Sequence, residues 1–141
     1  MAKMIKEAKT KVEWIGEEVQ AKYSPTQPEA ESAVEFCERV YPQTTEEFKN
    51  ILDEMYLTFC KKQRNYGPGN ISVGTALQTQ DEVKLSLTGL WFRINDKVQR
   101  LKQLVVFGQP DEVGEPIQDT YEDLSVYGII AQIVQRGKWG K

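Results

Sequence analysis

The sequence predicts an all-α fold, a bundle of about four to five helices with minor or no β structure. Apolar residues recur at intervals of three and four along most of the 141 residues, which is the period of one helix face. Sustained alternation of apolar and polar residues, the pattern of a half-buried strand, is scarce. Hydrophobic residues make up 40% and charged residues 28% of the chain, as in ordinary soluble domains.

The first 43 residues are predicted to form an N-terminal extension of amphipathic helices ahead of a main domain at 44–137. Over residues 3–22 the apolar positions alternate at spacings of three and four, as in a short coiled-coil seam. Such a helix either packs on its own domain or binds a partner helix. Pro28 suits the first turn of a second helix that ends before Tyr41. The seam consists of Ile5, Ala8, Val12, Ile15 and Val19.

A longer helix is predicted over residues 45–64, capped by Thr44 or Thr45. Acids in its first turn and cations in its last turn suit the helix dipole. The sequence YGPGN at 66–70 stops the helix, because glycine and proline terminate helices. Its predicted core stripe is Phe48, Ile51, Leu52, Met55 and Phe59.

Residues 71–86 are weakly patterned and are predicted to be a loop with at most one short helix. A fourth helix follows at 86–108, and a surface loop at 109–116 separates it from the last helix. That helix starts at Glu115 and closes at Gly137, a residue that favours helix C-termini. The inward residues predicted for the fourth helix are Trp91, Ile94, Val98, Leu101 and Val105.

Composition excludes several classes of function. The chain contains no histidine, so His-dependent triads and His-ligated zinc sites are ruled out. A net charge of −3 argues against general nucleic-acid binding, which requires a basic surface. The N-terminal residues lack the apolar core of a signal peptide, and no apolar run could span a bilayer. We therefore expect a cytoplasmic protein without a membrane partner, in which Cys37 and Cys60 are buried free thiols.

Acids on two predicted helices and cations on a third indicate a possible magnesium-phosphate site. Asp119 and Asp123 lie one turn apart on the last helix, and Glu54 lies beside the core stripe of the 45–64 helix. Carboxylate oxygens are the ligands that Mg²⁺ prefers, and phosphate oxygens pair with Lys and Arg. The three acids are thus the predicted metal-binding and catalytic residues, and Lys97 and Arg100 the predicted phosphate-binding residues.

These charged residues also have a structural interpretation. Acidic and basic stripes on neighbouring helices commonly form surface salt bridges. Asp123 lies in line with Tyr127 and Ile130, where an unpaired charge would be costly. It therefore either serves a functional site or pairs with Arg100, and we expect it to face a polar cleft shared with Lys97 or Arg100.

The segment RNYGPGN supplies a second set of candidate ligand-binding residues. Its glycines and proline predict a sharp turn whose backbone amides and neighbouring side chains are available to a ligand. For Gly67 alone, a plain helix stop is a better explanation than a ligand site, and it is the flanking polar residues that favour a site. The candidates are Arg64, Asn65, Tyr66 and Asn70.

Three segments in this order resemble the phage and bacterial family called nucleotide modification associated domain. They are KKQRNYGPGNI, GLWFRINDKVQRLKQL and EPIQDTYEDLSVYGIIA. The resemblance covers roughly residues 45–135, and Asn65 replaces an acid that the family commonly has before its Tyr-Gly turn. Matching positions include Tyr66 with Gly67, Asp96, Lys97, Arg100 and Leu101, and Glu115, Asp119, Thr120, Asp123, Leu124 and Tyr127.

More distantly, the acidic helices resemble MazG-like all-α nucleoside triphosphate pyrophosphohydrolases, which are magnesium-dependent helical oligomers. These resemblances imply a phage-type nucleotide-binding protein of DNA-precursor metabolism, with a nucleotide ligand, Mg²⁺ and hydrolase chemistry as expectations. The alternative is a non-catalytic module that binds a host or phage protein. Abundant apolar stripes also predict at least a dimer.

Overall fold

The computed structural model describes residues 31–141, which form five α-helices and one π-helical turn. The predicted helix at 3–22 and Pro28 lie outside the described residues. The chain divides into two compact units, residues 1–47 and 48–141. Residues 31–141 contain no strand, which confirms the predicted all-α class. None of the helices in this part of the chain is long and apolar enough to cross a membrane.

The first described helix, α1 (Ala33–Val40), begins with a capping box. The Ser32 hydroxyl accepts from the Glu35 backbone N–H, and the Glu35 carboxylate accepts from the Ser32 backbone N–H. Two otherwise unpaired donors of the first turn are satisfied in this way. The helix therefore starts later than the sequence prediction, and it ends before Tyr41 as expected.

Helix α2 (Pro42–Tyr66) starts earlier than predicted. Proline is favourable at the first helical position, where its missing N–H costs nothing. Thr45 does not cap the helix, because its hydroxyl donates to the carbonyls of Tyr41 and Pro42. At the other end, Gly67 has φ of +66° and donates its N–H to the Gln63 carbonyl, so the predicted helix stop is confirmed.

The segment predicted as a loop at 71–86 is partly helical. Helix α3 (Gly69–Ser72) is one short turn, and helix α4 (Gln80–Leu101) starts six residues before the predicted position. The Thr79 hydroxyl accepts from the Glu82 N–H, and the Glu82 carboxylate accepts from the Thr79 N–H. This second capping box fixes the start of α4.

The chain continues from α4 through a π-helical turn, Lys102–Val106, and then through a loop to α5 (Ile117–Gln135). Gly137, with φ of +63°, closes α5 as predicted. Helix α5 packs along α4. Their interface and the turn around α3 bury Ile71, Leu90, Ile130, Val134 and Trp139.

Several predicted core residues are exposed. Helix α2 buries Met55 but leaves Phe48, Ile51 and Leu52 at the surface. Trp91 and Val98 of α4 are exposed, as is Val105 in the π-helical turn that follows it. The inward face of α4 passes through Leu90 and Lys97, one position before the predicted Trp91 and Val98. The sequence prediction placed only apolar residues inward and therefore excluded Lys97. The cysteines are free as expected, but Cys60 is exposed and Cys37 is half-buried.

Candidate functional site

A cavity of about 340 Å³ opens between the C-terminal half of α2, the α3 turn, α4 and α5. Its volume falls in the range of small-molecule sites. Apolar and aromatic side chains line it together with polar and charged ones. The lining includes Phe59, Lys62, Gln63, Tyr66, Asn70, Arg93, Glu122, Asp123, Tyr127 and Trp139.

Trp139 lines the cavity and is itself buried. Its indole Nε1 donates a 2.9 Å hydrogen bond to the Pro68 carbonyl, and its ring packs edge-on against Phe59 at 6.1 Å between centroids. Gly140 allows this close approach, because a Cβ there would lie 3.1 Å from Pro68 Cβ. The residues after α5 therefore hold the YGPG turn against α2.

The turn after α2 brings two predicted ligand residues to the cavity. Tyr66 and Asn70 both line it. The Arg93 guanidinium donates to the Asn70 carbonyl at 3.0 Å, and the buried Ser86 hydroxyl donates to the Ile71 carbonyl at 2.6 Å. Helix α4 thus fixes the turn through two side chains and places the Arg93 cation at the cavity.

Asp123 joins α2, α4 and α5. Its Oδ2 lies 2.9 Å from Lys97 Nζ, and its Oδ1 lies 3.3 Å from Lys62 Nζ. Of the two cations predicted beside Asp123, Lys97 pairs with it and Arg100 does not, and Asp123 lines the cavity whereas Lys97 does not. Asp123 on α5 meets Lys97 on α4 because both side chains lie on the faces that the two helices turn toward each other, and Lys62 reaches Asp123 from α2.

Lys97 is held between two carboxylates, since Glu115 Oε1 also lies 3.2 Å from its Nζ. The hydrogen bond to Asp123 raises the pKa of Lys97 above its ordinary value of 10.5, against the opposing effect of burial, with further support from Glu115. A lysine with two anionic partners stays charged at neutral pH. Lys97 therefore fixes the orientation of Asp123 at the cavity wall.

Arg100 extends this cluster one turn further along α4, through the Glu115 carboxylate that it shares with Lys97. Its guanidinium lies 3.5 Å from Glu115 Oε2 and 3.4 Å from Asp111 Oδ2. It also donates to the hydroxyl of the fully buried Thr120 and to the Glu115 carbonyl. These contacts tie the start of α5 and the loop before it to α4. Arg100 does not line the cavity.

The three acids predicted to bind magnesium are not brought together. Asp123 lines the cavity, whereas Glu54 and Asp119 are exposed and do not. Within residues 31–141, no three acidic or cysteine side chains form a group that could hold a metal ion. The residues present thus offer no built magnesium site, and magnesium binding stays a prediction of the sequence.

The remaining candidates divide in the same way. Arg64 and Asn65 are exposed and do not line the cavity. Lys62 and Arg93 do line it, although neither is among the predicted site residues. A signal for Lys62 existed, because it lies one turn after Thr58 and Phe59 on the face that carries Met55. Trp139 had no such signal, since it follows the helix end at Gly137.

Comparisons with known proteins gave no match for this chain, whether to family models, to curated protein sequences or to solved structures.

Proposed function

We propose that the chain binds a nucleotide in this cavity, as a phage-type protein of DNA-precursor metabolism. One observation supports the proposal most: two cations, Lys62 and Arg93, and an aromatic wall containing Tyr66 border the same 340 Å³ cavity. Cations pair with phosphate oxygens, and aromatic rings stack on bases. The amides of Gln63 and Asn70 offer donors and acceptors for a base edge.

Acids in the lining limit where the phosphates can lie. Glu122 and Asp123 are half-buried at the α5 side of the cavity, and Glu122 would repel a phosphate placed beside it. Asp123 is neutralised by its two lysines. We therefore place the phosphates near Lys62 and Arg93, and the base against the aromatic residues.

A thermal-shift screen of deoxynucleoside mono-, di- and triphosphates tests the proposal, because a ligand that binds the folded state raises its stability. At a ligand concentration of one hundred times Kd the gain is about 2.7 kcal/mol. We expect Lys62→Met to remove most of the shift. Lys61→Met is the matched control, because Lys61 is exposed and does not line the cavity.

A shift that is equal in wild type, Lys62→Met and Lys61→Met would contradict binding at this cavity. Repeating the screen with magnesium and with a chelator tests the magnesium prediction separately, and pyrophosphate release tests hydrolase activity. Nucleotide binding without any effect of magnesium would make the metal prediction wrong and leave the binding proposal intact.

The alternative function, a non-catalytic module that binds a host or phage protein, is favoured by a different observation. An apolar groove of about 330 Å³ runs beside the cavity, and such grooves often receive partner helices. A protein that shows no nucleotide response while binding a partner through this groove would support this alternative.

A further inference from the structure

The charges that line the cavity balance one another. Among the described residues its lining contains two cations, Lys62 and Arg93, and two acids, Glu122 and Asp123. The formal charge of the lining is therefore zero, unlike that of clefts lined by one sign of charge, which concentrate ligands of the opposite sign. The lining thus limits how much negative charge a bound ligand can bring.

Lys62 is only partly neutralised by its acidic neighbour. Its Nζ lies 3.3 Å from Asp123 Oδ1, while Asp123 Oδ2 lies 2.9 Å from Lys97 Nζ. Because Asp123 divides its charge between two lysines, it offsets only part of the charge of Lys62, whose side chain is 57% exposed. An ammonium group has three donors, so Lys62 can donate to a ligand oxygen while it stays beside Asp123.

Arg93 is the second cation of the lining. It donates one hydrogen bond, at 3.0 Å, to the Asn70 carbonyl, and within residues 31–141 it forms no salt bridge with an acid. A guanidinium has five N–H donors, so donors remain for a ligand. Lys62 and Arg93 together match one phosphate monoester, whose charge at neutral pH is about −1.5 to −2.

We infer that the cavity selects nucleoside monophosphates over the corresponding di- and triphosphates. The inference rests on the proposed nucleotide binding and names the class of ligand. A second and a third phosphate would bring further negative charges, and the described lining contains no third cation to pair with them. The cavity volume of about 340 Å³ lies near the lower end of the range for small-molecule sites, which also favours the smaller ligand.

Glu122 strengthens this selectivity. Its carboxylate accepts a 3.4 Å hydrogen bond from the Gln118 amide, and within the described part of the chain it forms no salt bridge with a cation. A like charge a few ångströms from a ligand lowers affinity by roughly fivefold even at the dielectric constant of bulk water. Each phosphate beyond the first adds to this repulsion, so Glu122 disfavours a triphosphate more than a monophosphate.

Calorimetric titration with the deoxynucleosides of the four bases and their mono-, di- and triphosphates, in buffer with a chelator, tests the ligand class. We expect a monophosphate to bind most tightly and its triphosphate to bind at least about fivefold more weakly. A triphosphate that binds as tightly as the monophosphate overturns the inference and leaves nucleotide binding intact. A nucleoside that binds as tightly as its monophosphate also overturns it. Binding of no member of the series overturns the proposed function and the inference together.

Glu122→Gln tests the charge argument, because it keeps the size of the side chain and removes its charge. The variant should bind the triphosphate roughly fivefold more tightly than wild type does and gain less for the monophosphate, so the selectivity narrows. Glu112→Gln is the matched control, since Glu112 is exposed and does not line the cavity, and it should keep the selectivity of wild type. Unchanged selectivity in Glu122→Gln, or equal narrowing in both variants, overturns the inference that the charges of the lining select the ligand.

Discussion

Helices α2 and α4 both carry apolar stripes, but the two stripes differ in how far they are buried. Helix α4 buries Leu90 and Ser86 against its neighbours, whereas α2 buries Met55 and exposes Phe48 and Tyr56. Helical spacing of apolar residues therefore predicts an apolar helix face, but it does not show what buries that face. Helix α5 buries much of the α4 stripe, whereas the described residues leave much of the α2 stripe exposed.

The largest expected effect concerns the attachment of α2. Trp139 contacts both Phe59 and Pro68 and is 6% exposed. Trp139→Ala should lower the free energy of unfolding by about 3 to 5 kcal/mol, since it removes a buried aromatic side chain. Trp91→Ala, at a site 58% exposed, should cost less than about 1 kcal/mol. Equal costs in urea denaturation would show that Trp139 does not hold α2 in place.

A smaller effect is expected between α4 and α5. Val134 is 1% exposed, so Val134→Ala should cost about 2 to 3 kcal/mol from lost burial and the cavity left behind. The same change at the exposed Val113 should lie within about 0.5 kcal/mol of zero. A Val134→Ala protein as stable as Val113→Ala in the same denaturation experiment would contradict the assignment of the core to this interface.

The smallest effect concerns the charges that link α4 to α5. Lys97→Met should cost about 2 kcal/mol at neutral pH, a typical value for hydrogen bonds to charged groups. Because the pKa of Lys97 is raised above 10.5 in the folded protein, its contribution is present below that pH and is lost as the pH rises through the raised value. The stability difference between wild type and variant should therefore shrink above about pH 10.5.

Denaturation curves of both proteins from neutral to alkaline pH measure this difference. Lys61→Met serves as the control, because it removes a lysine that is exposed on α2. A difference that stays constant across the alkaline range would show that the Lys97 charge does not contribute to the α4 and α5 interface.

The fold class could be predicted from the sequence because apolar residues recur with helical spacing along the chain. The position of Asp123 could be predicted because it continues the helical line of Tyr127 and Ile130. The start of α4 could also have been predicted, since Thr79 and Glu82 form the spacing of a capping box. The inward line of α4 was displaced because Lys97 occupies a core-facing position, and its burial becomes favourable only when Asp123 and Glu115 are brought to it.

The composition of the cavity was harder to predict. Asp119 and Asp123 have the same spacing pattern as any acidic helix face, yet Asp119 is exposed and Asp123 is half-buried. Their difference depends on the rotation of α5 against α4. Trp139 contacts a carbonyl 71 residues earlier in the chain, and no local pattern encodes a contact of that range.

The distance in sequence between Trp139 and Pro68 also affects the order of folding. Contacts between residues close in sequence form early, because closing a short loop costs less entropy than closing a long one. Helices α4 and α5 are joined by residues 102–116, whereas the bond from Trp139 to Pro68 closes a loop of 71 residues. The α4 and α5 pair can therefore form the folding nucleus, and the cavity is completed late and opens early in unfolding. A ligand in the cavity would then act mainly by slowing unfolding, with little effect on the rate at which the chain folds.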